Sequence, residues 1–463
     1  MKTDQFDIVI VGAGPGGYVA AIRAAQLGMR AAIVEKAELG GVCLNWGCIP
    51  TKAMLRSADV LRLMRKADQF GIKAGQPEPD LQAIVARSRK VAAQLQRGVT
   101  HLMKKNGITV INGHARLNGK GRLSIKGVAE ETHITAKHIV LATGARARTL
   151  PGLDAQAEGI WHYREALVPP SLPKSMVVIG AGAIGIEFAS FYHALGVKVD
   201  VVEMADRVLP VEDAEISEYV GQELRKQGMT LHLGSNIARA ERSDGGWAVQ
   251  LGGAQAGTLQ ADVILVAAGI VGNVEGLGLE GTGVKVEKSH IITDEYGATG
   301  EPGVYAIGDV AGAPWLAHKA SHEALVCVEK IAGLNPRPID VNRVPACTYS
   351  HPQVAHVGLT EQQAREQGRK VRVGKFPFAA NGKAIALGET GGFVKVVFDA
   401  DLGELIGAHM VGEEVTEMIQ GYAVASELET TEIELMQTIF PHPTMSEAMH
   451  EAVLAAYDKA LHY

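Results

Sequence analysis

A glycine-rich turn that occurs twice constrains the fold of this chain more than any other feature. The first copy, GAGPGG at residues 12–17, follows the apolar run 6–11 and precedes a helical pattern and a second apolar run, 31–35. The second copy, GAGAIG at residues 180–185, has the same flanks. A shift of 168 residues aligns five positions, which are Gly12, Gly14, Gly17, Gly28 and Glu35 in the first copy and Gly180, Gly182, Gly185, Gly196 and Glu203 in the second. A strand, such a turn and a helix predict a βαβ unit that binds a dinucleotide, because the glycines let a pyrophosphate approach the helix N-terminus.

Two such units predict two dinucleotides. A carboxylate at the end of the second strand can accept hydrogen bonds from ribose hydroxyls, and Glu35 and Glu203 occupy that position. Glu203 favours NAD over NADP, because it accepts from the 2′-hydroxyl and repels a 2′-phosphate. The nearest downstream cation is Arg207, so no arginine cluster for a 2′-phosphate is evident.

Two cysteines follow the first unit directly, in the sequence GGVCLNWGCIPTK at residues 40–52. The chain has only four cysteines, which disfavours a framework disulfide. Residues five apart on a regular helix lie roughly 8–9 Å apart, whereas a disulfide needs about 7 Å or less between alpha carbons. A bond between Cys43 and Cys48 therefore predicts a distorted turn, with freedom from Gly47 and interrupted hydrogen bonding at Pro50. Such a pair is a candidate redox disulfide, and two ordinary thiols at a buried helix start are the alternative.

Composition limits the remaining possibilities. The 463 residues suffice for three or four domains, and the net charge of -6 without a basic run argues against a nucleic-acid surface. The apolar run after the polar N-terminus is too short for a signal peptide or a membrane span. We therefore expect a cytoplasmic protein that binds neither membrane nor nucleic acid, where a disulfide is normally transient and catalytic.

The cysteine stretch resembles the flavoprotein disulfide reductases, and within them most of all the dihydrolipoamide dehydrogenases. The resemblance extends from Ile8 to the final helix. It implies that the first dinucleotide is FAD and the second NAD. It also implies that dihydrolipoamide attacks a disulfide at Cys43, while Cys48 faces the flavin as a thiolate, and that the electrons then pass through FAD to NAD.

The resemblance also implies further cofactor contacts. For FAD these are the first glycine turn and Glu35, together with Lys52, Ala115, Thr143, Gly144, Asp309 and Ala317. For NAD they are the second glycine turn, Glu187, Glu203 and Gly269. Lys52 should pair with Glu187 and favour the reduced, anionic flavin. The alternatives are a solvated helix lysine at position 52 and an ordinary turn aspartate at position 309.

Near the C-terminus, PHPTMSE at residues 441–447 is similar to the family motif His-Pro-Thr-x-x-Glu. The resemblance makes His442 the acid–base group and Glu447 the residue that orients it. The chemistry needs such a group, because the incoming dithiol must lose a proton and histidine titrates near neutrality. Glu447 could equally complete a helix capping box with Thr444. In the family the histidine comes from the partner subunit of a dimer, and the family's second histidine is here Phe440.

The predicted fold class is α/β, with two Rossmann-like dinucleotide-binding domains, a central segment and a C-terminal α+β dimerisation domain. The predicted ranges are 1–145 for FAD, 146–273 for NAD, 274–342 for the central domain that completes the FAD site and 343–463 for the interface domain. The segment 269–273, GIVGN, departs from the family's commoner arginine- and proline-bearing form, so we expect no arginine contact to NAD there.

The choice within the family rests on what accompanies the cysteine pair. The C-terminal residues lack the second cysteine pair of mercuric reductases and high-mass thioredoxin reductases, and Glu203 argues against glutathione reductases. Because the chain begins at the flavin fold, the lipoyl group should arrive on another protein, the acyltransferase core of a 2-oxoacid dehydrogenase complex or a glycine-cleavage carrier. Two alternatives stay open, an NAD(P)H-dependent reductase of another small disulfide and a catalytically silent FAD-binding assembly component.

Overall fold

A computed structural model describes residues 4–128, 130–243 and 245–463. The first residues of the predicted FAD domain, 1–3, lie outside the described residues. Two units can be distinguished: the first comprises Met1–Met54, Asp80–Arg148 and Gly269–Ile339, and the second Leu55–Pro79, Thr149–Ala268 and Asp340–Tyr463. The finer division into four segments stays a prediction.

Helices and strands alternate at the start of each nucleotide fold, and longer runs of consecutive strands follow. Within the described residues the α-helices are α1 Pro15–Gln26, α2 Gly41–Trp46, α3 Cys48–Arg65, α4 Leu81–Lys105, α5 Tyr163–Leu167, α6 Ala183–Ala194, α7 Ala214–Gln227, α8 Ala317–Ile331, α9 Glu361–Glu366, α10 Gly382–Leu387, α11 Val415–Glu427, α12 Glu432–Gln437 and α13 Glu447–Ala455. The 3-10 helices are Ala67–Phe70, Gly308–Ala311, Val341–Arg343 and Phe378–Ala380. The strands are β1 Asp4–Val11, β2 Ala31–Glu35, β3 Thr109–Asn112, β4 His114–Leu117, β5 Arg122–Lys126, β6 Glu131–Leu141, β7 Ala145–Ala147, β8 Ile160–Trp161, β9 Ser175–Ile179, β10 Lys198–Val202, β11 Thr230–His232, β12 Ser235–Ser243, β13 Gly246–Gly253, β14 Gly257–Ala261, β15 Val263–Val266, β16 Ile270–Gly272, β17 Val286–Glu287, β18 His290–Ile291, β19 Val304–Ala306, β20 Ala346–Thr348, β21 Gln353–Gly358, β22 Val371–Pro377, β23 Gly392–Asp399 and β24 Leu405–Gly412.

The first unit is built on one sheet of order β3-β2-β1-β6-β5-β4, in which β19 also pairs with β6. The strands β1, β2, β3, β6 and β19 run parallel, and β5 and β4 continue the sheet antiparallel. Successive residues of β1 point to opposite faces. Ile8 and Ile10 pack in one core with α1 and α8, while Val9 and Val11 pack in another with β5. Both faces of β1 are therefore buried, as its continuous apolar sequence predicts.

The described residues of the second unit form three sheets. A parallel sheet of order β11-β10-β9-β15-β8 forms the second nucleotide fold, and the antiparallel sheet β12-β13-β14 shares its core. The C-terminal sheet, of order β20-β21-β24-β23-β22, is antiparallel and packs against α11 and α13 through a core that includes Tyr422 and Met449. The predicted α/β class with a C-terminal α+β portion is confirmed.

None of the helices in the described part of the chain is both long enough and apolar enough to cross a membrane.

Candidate redox active site

The first glycine turn has the geometry that a bound pyrophosphate requires. Gly12 has φ 104°, and a Cβ there would lie 2.2 Å from the carbonyl oxygen of Ala142. A Cβ on Gly17 would lie 1.9 Å from the carbonyl oxygen of Gly12, so only glycine allows α1 to start this close to β1. A Cβ on Gly14 would meet nothing within 4 Å. The N-terminus of α1 therefore faces open space, which fits an approaching phosphate.

The second glycine turn repeats this arrangement. Gly180 has φ 101°, and a Cβ there would lie 2.5 Å from the carbonyl oxygen of Ala267. A Cβ on Gly185 would lie 2.0 Å from the carbonyl oxygen of Gly180, whereas one on Gly182 would meet nothing within 4 Å. The N-terminus of α6 thus offers the same space for a second pyrophosphate.

The carboxylate at the end of the second strand holds the glycine turn in both folds. The Glu35 carboxylate accepts hydrogen bonds from the N–H groups of Ala13 at 2.7 Å and Ala37 at 2.8 Å. The Glu203 carboxylate accepts from Ala181 at 2.7 Å and Ala205 at 2.8 Å. Each oxygen retains a lone pair, so the predicted contacts to ribose hydroxyls fit. The backbone contacts show in addition that these glutamates shape the turns.

Gly182 allows a direct test of the second turn. Because a side chain at Gly182 has room and φ is -74°, we expect Gly182→Ala to fold normally and retain FAD. The added methyl would occupy the approach to the α6 N-terminus, so we expect the KM for NAD to rise by about tenfold or more, equivalent to a loss of about 1.4 kcal/mol. Steady-state kinetics check this, with Gly257→Ala at the start of β14 as the control, because a Cβ there also meets nothing within 4 Å and its φ is not positive. An unchanged KM for NAD would argue against a pyrophosphate at this turn.

The helix that carries Cys43, α2, begins directly against the first glycine turn. The N–H of Gly40 donates to the carbonyl oxygen of Ala13 at 2.8 Å. A Cβ on Gly41 would lie 2.6 Å from the Cα of Gly14. These contacts place Cys43, two residues further along α2, beside the turn predicted to hold FAD.

Cys43 and Cys48 form a disulfide, with 4.8 Å between their alpha carbons. The helix is interrupted at Gly47, between α2 and α3, and this interruption brings the two cysteines close enough to bond. The predicted distorted turn is therefore present, but Pro50 does not cause it. Pro50 lies in the first turn of α3, where its missing N–H leaves no helical hydrogen bond unmade. Cys43 is partly buried and Cys48 is exposed.

Two side chains that the sequence did not identify hold the disulfide loop. Asn45, 3% exposed, donates from its side-chain amide to the carbonyl oxygens of Leu39 at 3.0 Å and Gly41 at 2.9 Å. Arg89 on α4 donates to the carbonyl oxygen of Asn45, and its guanidinium lies 4.0 Å from the centre of the Trp46 ring. The loop is thus fixed independently of the disulfide itself, so it can keep its position when the bond is reduced.

Thr143 and Gly144, predicted to contact FAD, are fixed by Asn273. The Thr143 hydroxyl donates to the carbonyl oxygen of Asn273 at 2.8 Å, and the Asn273 side-chain amide donates to that of Thr143 at 2.9 Å. The N–H of Asn273 also donates to the carbonyl oxygen of Gly144 at 2.9 Å. The atypical segment 269–273 therefore fixes the backbone at Thr143 and Gly144. This role depends on contacts between residues that are distant in the sequence.

The turn of Asp309 is tied to α8, which begins at Ala317, through an ion pair whose lysine is buried. Lys319 Nζ lies 2.8 Å from Glu323 Oε1 and 2.9 Å from the carbonyl oxygen of Gly312. Glu323 also accepts from the N–H of Gly308 at 2.7 Å, which ties the turn of Asp309 to α8. Ala317 is the first residue of α8, so the positive end of that helix dipole faces any group bound there.

The Asp309 side chain is available to a ligand. None of the described residues donates a hydrogen bond to its carboxylate. Burial raises the pKa of Asp309 above its usual value, although Lys319 opposes the shift. A half-buried carboxylate without a protein donor fits the predicted contact to hydroxyl groups of the ribityl chain.

The remaining predicted cofactor residues lie at defined places in the two units. Ala115 is buried in β4, and Gly113, two residues before it, donates its N–H to the carbonyl oxygen of Glu35 at 2.9 Å. Gly269 has φ 96° and accepts from the N–H of Arg148 at 3.0 Å. Lys52 belongs to the first unit. Glu187 belongs to the second, is buried on α6 and accepts from the N–H of Tyr349 at 3.0 Å. The pairing of Lys52 with Glu187 stays a prediction.

His442 and Glu447 form a direct pair. His442 Nδ1 lies 2.9 Å from Glu447 Oε1, and the imidazole side chain is 78% exposed. Glu447 Oε2 accepts from the N–H of Thr444 at 2.9 Å, while the Thr444 hydroxyl donates to the carbonyl oxygen of Pro441. Half of the capping box is therefore present, and the same carboxylate orients the ring. With Nδ1–H bound to Glu447, Nε2 is left as the proton acceptor.

The ionisation of Glu447 supports this pairing. Burial opposes ionisation, but the hydrogen bonds from Thr444 and His442 outweigh it and lower the pKa of Glu447. Glu447 is therefore a carboxylate throughout the neutral range. Helix α13 begins at Glu447 itself and ends at Ala455.

Comparison with known proteins gives a consistent result. The family described as pyridine nucleotide-disulphide oxidoreductase matches residues 6–324, and the dimerisation domain of that family matches residues 344–453. The chain is 54% identical to a dihydrolipoyl dehydrogenase of Rhizobium etli over 99% of both chains. It is 53% identical to one of Zymomonas mobilis, over 99% of this chain and 100% of that protein. Among solved structures, LpdA of Mycobacterium tuberculosis has a TM-score of 0.90 at 28% identity, covering 97% of this chain and 99% of that one.

Proposed function

The chain belongs to the pyridine nucleotide-disulphide oxidoreductase family, and on that premise we propose that it is a dihydrolipoyl dehydrogenase. The observation that carries the proposal is the Cys43–Cys48 disulfide, whose first cysteine lies on a helix that starts against the first glycine turn. Its cofactors are FAD and NAD. The net reaction converts dihydrolipoamide and NAD⁺ to lipoamide, NADH and a proton.

The residues of the chain perform the thiol chemistry. A thiolate of dihydrolipoamide attacks Cys43 Sγ, which breaks the bond to Cys48 and forms a mixed disulfide. The second substrate thiol then displaces Cys43, releasing lipoamide and leaving both cysteines reduced. His442 Nε2 accepts the proton that the dithiol loses, and Glu447 stabilises the resulting imidazolium. When bound, FAD supplies the electron-transfer chemistry that connects the reduced cysteines to NAD.

Turnover with the two nicotinamide cofactors tests this function. We expect dihydrolipoamide to reduce NAD rapidly, with kcat/KM for NADP lower by about a hundredfold or more, because Glu203 would face the 2′-phosphate. The measurement is the absorbance of the reduced nicotinamide, with oxidised lipoamide as the blank. Equal use of NADP would favour a reductase of another small disulfide, and a flavin-loaded protein without turnover would favour an assembly component.

The dimerisation domain supports a homodimer, and we propose that each active site takes His442 from the partner subunit. Mixing two inactive variants tests this arrangement. In a mixed dimer of Cys48→Ser and His442→Gln chains, a shared site restores one intact combination of disulfide and histidine. Because half of randomly paired dimers are mixed, we expect about a quarter of the wild-type activity after subunit exchange. If both residues of a site came from one chain, mixing would restore nothing.

The lipoyl group is presented by another protein, either the acyltransferase core of a 2-oxoacid dehydrogenase complex or a glycine-cleavage carrier, and the enzyme works in the cytoplasm. The support for these partners is the proposed activity, whose dithiol substrate is a lipoyl group that a carrier protein bears.

A further inference from the structure

The Ala181 peptide of the second glycine turn is held at both of its polar atoms. Its N–H donates to Glu203 Oε2 at 2.7 Å, and its carbonyl oxygen accepts from the N–H of Leu209 at 2.8 Å. In the first fold the equivalent carbonyl oxygen, that of Ala13, accepts from Gly40, where the disulfide helix starts. The carbonyl therefore anchors the next segment in each fold. In the second fold that segment is 208–213, which we name the strap.

The strap has a constrained conformation. Leu209 has φ 46°, a left-handed backbone that a bulky side chain rarely adopts, and its side chain is 1% exposed. Its carbonyl oxygen accepts from the N–H of Glu212 and from the hydroxyl of Ser217, both at 2.9 Å. Such a backbone persists only where its surroundings determine it. The position of Leu209, and with it the Ala181 peptide, thus depends on what fixes the far end of the strap.

Two cations of the C-terminal sheet fix that end. Glu212 and Asp213 are 5% and 2% exposed. Glu212 Oε2 lies 2.7 Å from Nδ1 of His356 on β21. Asp213 lies 3.0 Å from Nζ of Lys395 on β23. Adjacent buried carboxylates are costly unless each is paired, so both cations are needed to keep the strap in place.

Of these two cations, only His356 can lose its charge near neutrality. Burial opposes its protonation, but Glu212 outweighs burial and raises the pKa of His356 above its usual value. The ring of His409, 5.9 Å away, stays neutral, because burial and His356 lower its pKa to about 4. Lys395 also pairs with Glu215 at 2.8 Å and Glu361 at 2.9 Å, and these contacts raise its pKa further.

We propose that His356 is a positioning residue for NAD, because its ion pair with Glu212 holds the strap and, through Leu209, the Ala181 peptide of the NAD turn. This inference rests on the proposed function only in taking the second fold as the NAD site. Since the pKa of His356 is raised in the folded protein, the ion pair is present below that pKa and is lost as the pH rises through it. NAD should therefore bind more tightly at the lower pH, and by reciprocity its binding should take up protons.

Calorimetric titration of NAD into the oxidised, FAD-loaded enzyme tests the proposal. In buffers of different ionisation enthalpy, between about pH 6 and pH 9, we expect proton uptake on binding. We also expect the Kd for NAD to increase about fivefold across this range. In His356→Gln, which cannot titrate, both the uptake and the pH dependence should disappear. The kcat/KM for dihydrolipoamide should stay close to that of the wild type.

Two further variants keep the test decisive. Glu212→Gln removes the partner carboxylate, so it should abolish the proton uptake as well, and it replaces His356→Gln if that chain does not retain FAD. His462→Gln breaks a similar pair, His462 Nδ1 with Glu451 Oε1 at 2.7 Å, outside the strap, and should retain the uptake. Absence of uptake in the wild type, persistence in both strap variants, or loss in His462→Gln would each overturn the inference. Failure of the wild type to bind NAD at all would instead contradict the proposed function.

Discussion

We expect dihydrolipoamide-dependent NAD reduction to fall to background when Cys48 is replaced by serine. A hydroxyl cannot form the disulfide with Cys43, so the electron pair of the substrate dithiol has no acceptor. Removing one member of a covalent catalytic unit costs about ten thousandfold or more in kcat, and we expect a loss of this size for both Cys43→Ser and Cys48→Ser. The measurement is steady-state NADH formation with saturating dihydrolipoamide.

The cofactor sites should survive this change, which makes the loss interpretable. Asn45 and Arg89 hold the loop without the disulfide, so we expect both variants to bind FAD and to oxidise NADH with an artificial electron acceptor. Cys347→Ser is the matched control, because it makes the same atomic change at a cysteine outside the disulfide. If either disulfide variant kept more than about a tenth of the wild-type turnover with dihydrolipoamide, the disulfide would not be the entry point for electrons.

The two dinucleotide turns could be predicted from the sequence because their requirements are local. Gly12 and Gly180 need a positive φ, and a Cβ on Gly17 or Gly185 would collide with the carbonyl oxygen five residues earlier. Only glycine satisfies these demands, so a glycine at each of these positions in the sequence indicates the backbone conformation of the turn. The same holds for the break between α2 and α3, where Gly47 separates two cysteines that a regular helix would keep apart.

Contacts between distant parts of the chain could not be predicted in this way. Asn273 pairs with Thr143 across 130 residues, and His356 pairs with Glu212 across 144. Nothing in the local sequence of either partner specifies the other, because the contact exists only once the sheets have formed. The strap could not be predicted either. Leucine is a common core residue, and no sequence pattern indicates that Leu209 has a left-handed backbone.

Glu447 shows how one residue can satisfy two sequence patterns. The local sequence fits both a capping box and a histidine partner, and sequence alone leaves them equal. In the structure, one carboxylate oxygen accepts from the Thr444 N–H and the other from His442 Nδ1. The backbone contact fixes the carboxylate, and the fixed carboxylate orients the imidazole. Glu447 therefore caps the backbone and orients His442 at the same time.

We expect His442→Gln to slow the oxidation of dihydrolipoamide by a hundredfold to ten thousandfold, about the usual contribution of a general base. Glutamine can occupy the space but cannot accept the proton of the dithiol. Glu447→Gln should have a smaller effect, about ten- to a hundredfold, because the imidazole remains but loses its fixed orientation and the charge that stabilises its protonated form. Rapid mixing of the oxidised enzyme with dihydrolipoamide measures this half of the reaction directly.

The other half of the reaction distinguishes a lost base from a damaged fold. Reduction of the oxidised enzyme by NADH takes place at the cofactor sites, so its rate should be close to that of the wild type in His442→Gln and Glu447→Gln. His450→Gln is the control, because His450 lies on α13 with Glu447 but its ring forms a hydrogen bond with the carbonyl oxygen of Met436. A His442→Gln enzyme that kept the dithiol step within about tenfold would exclude His442 as the proton acceptor. Equal loss of both half-reactions would instead indicate a damaged fold.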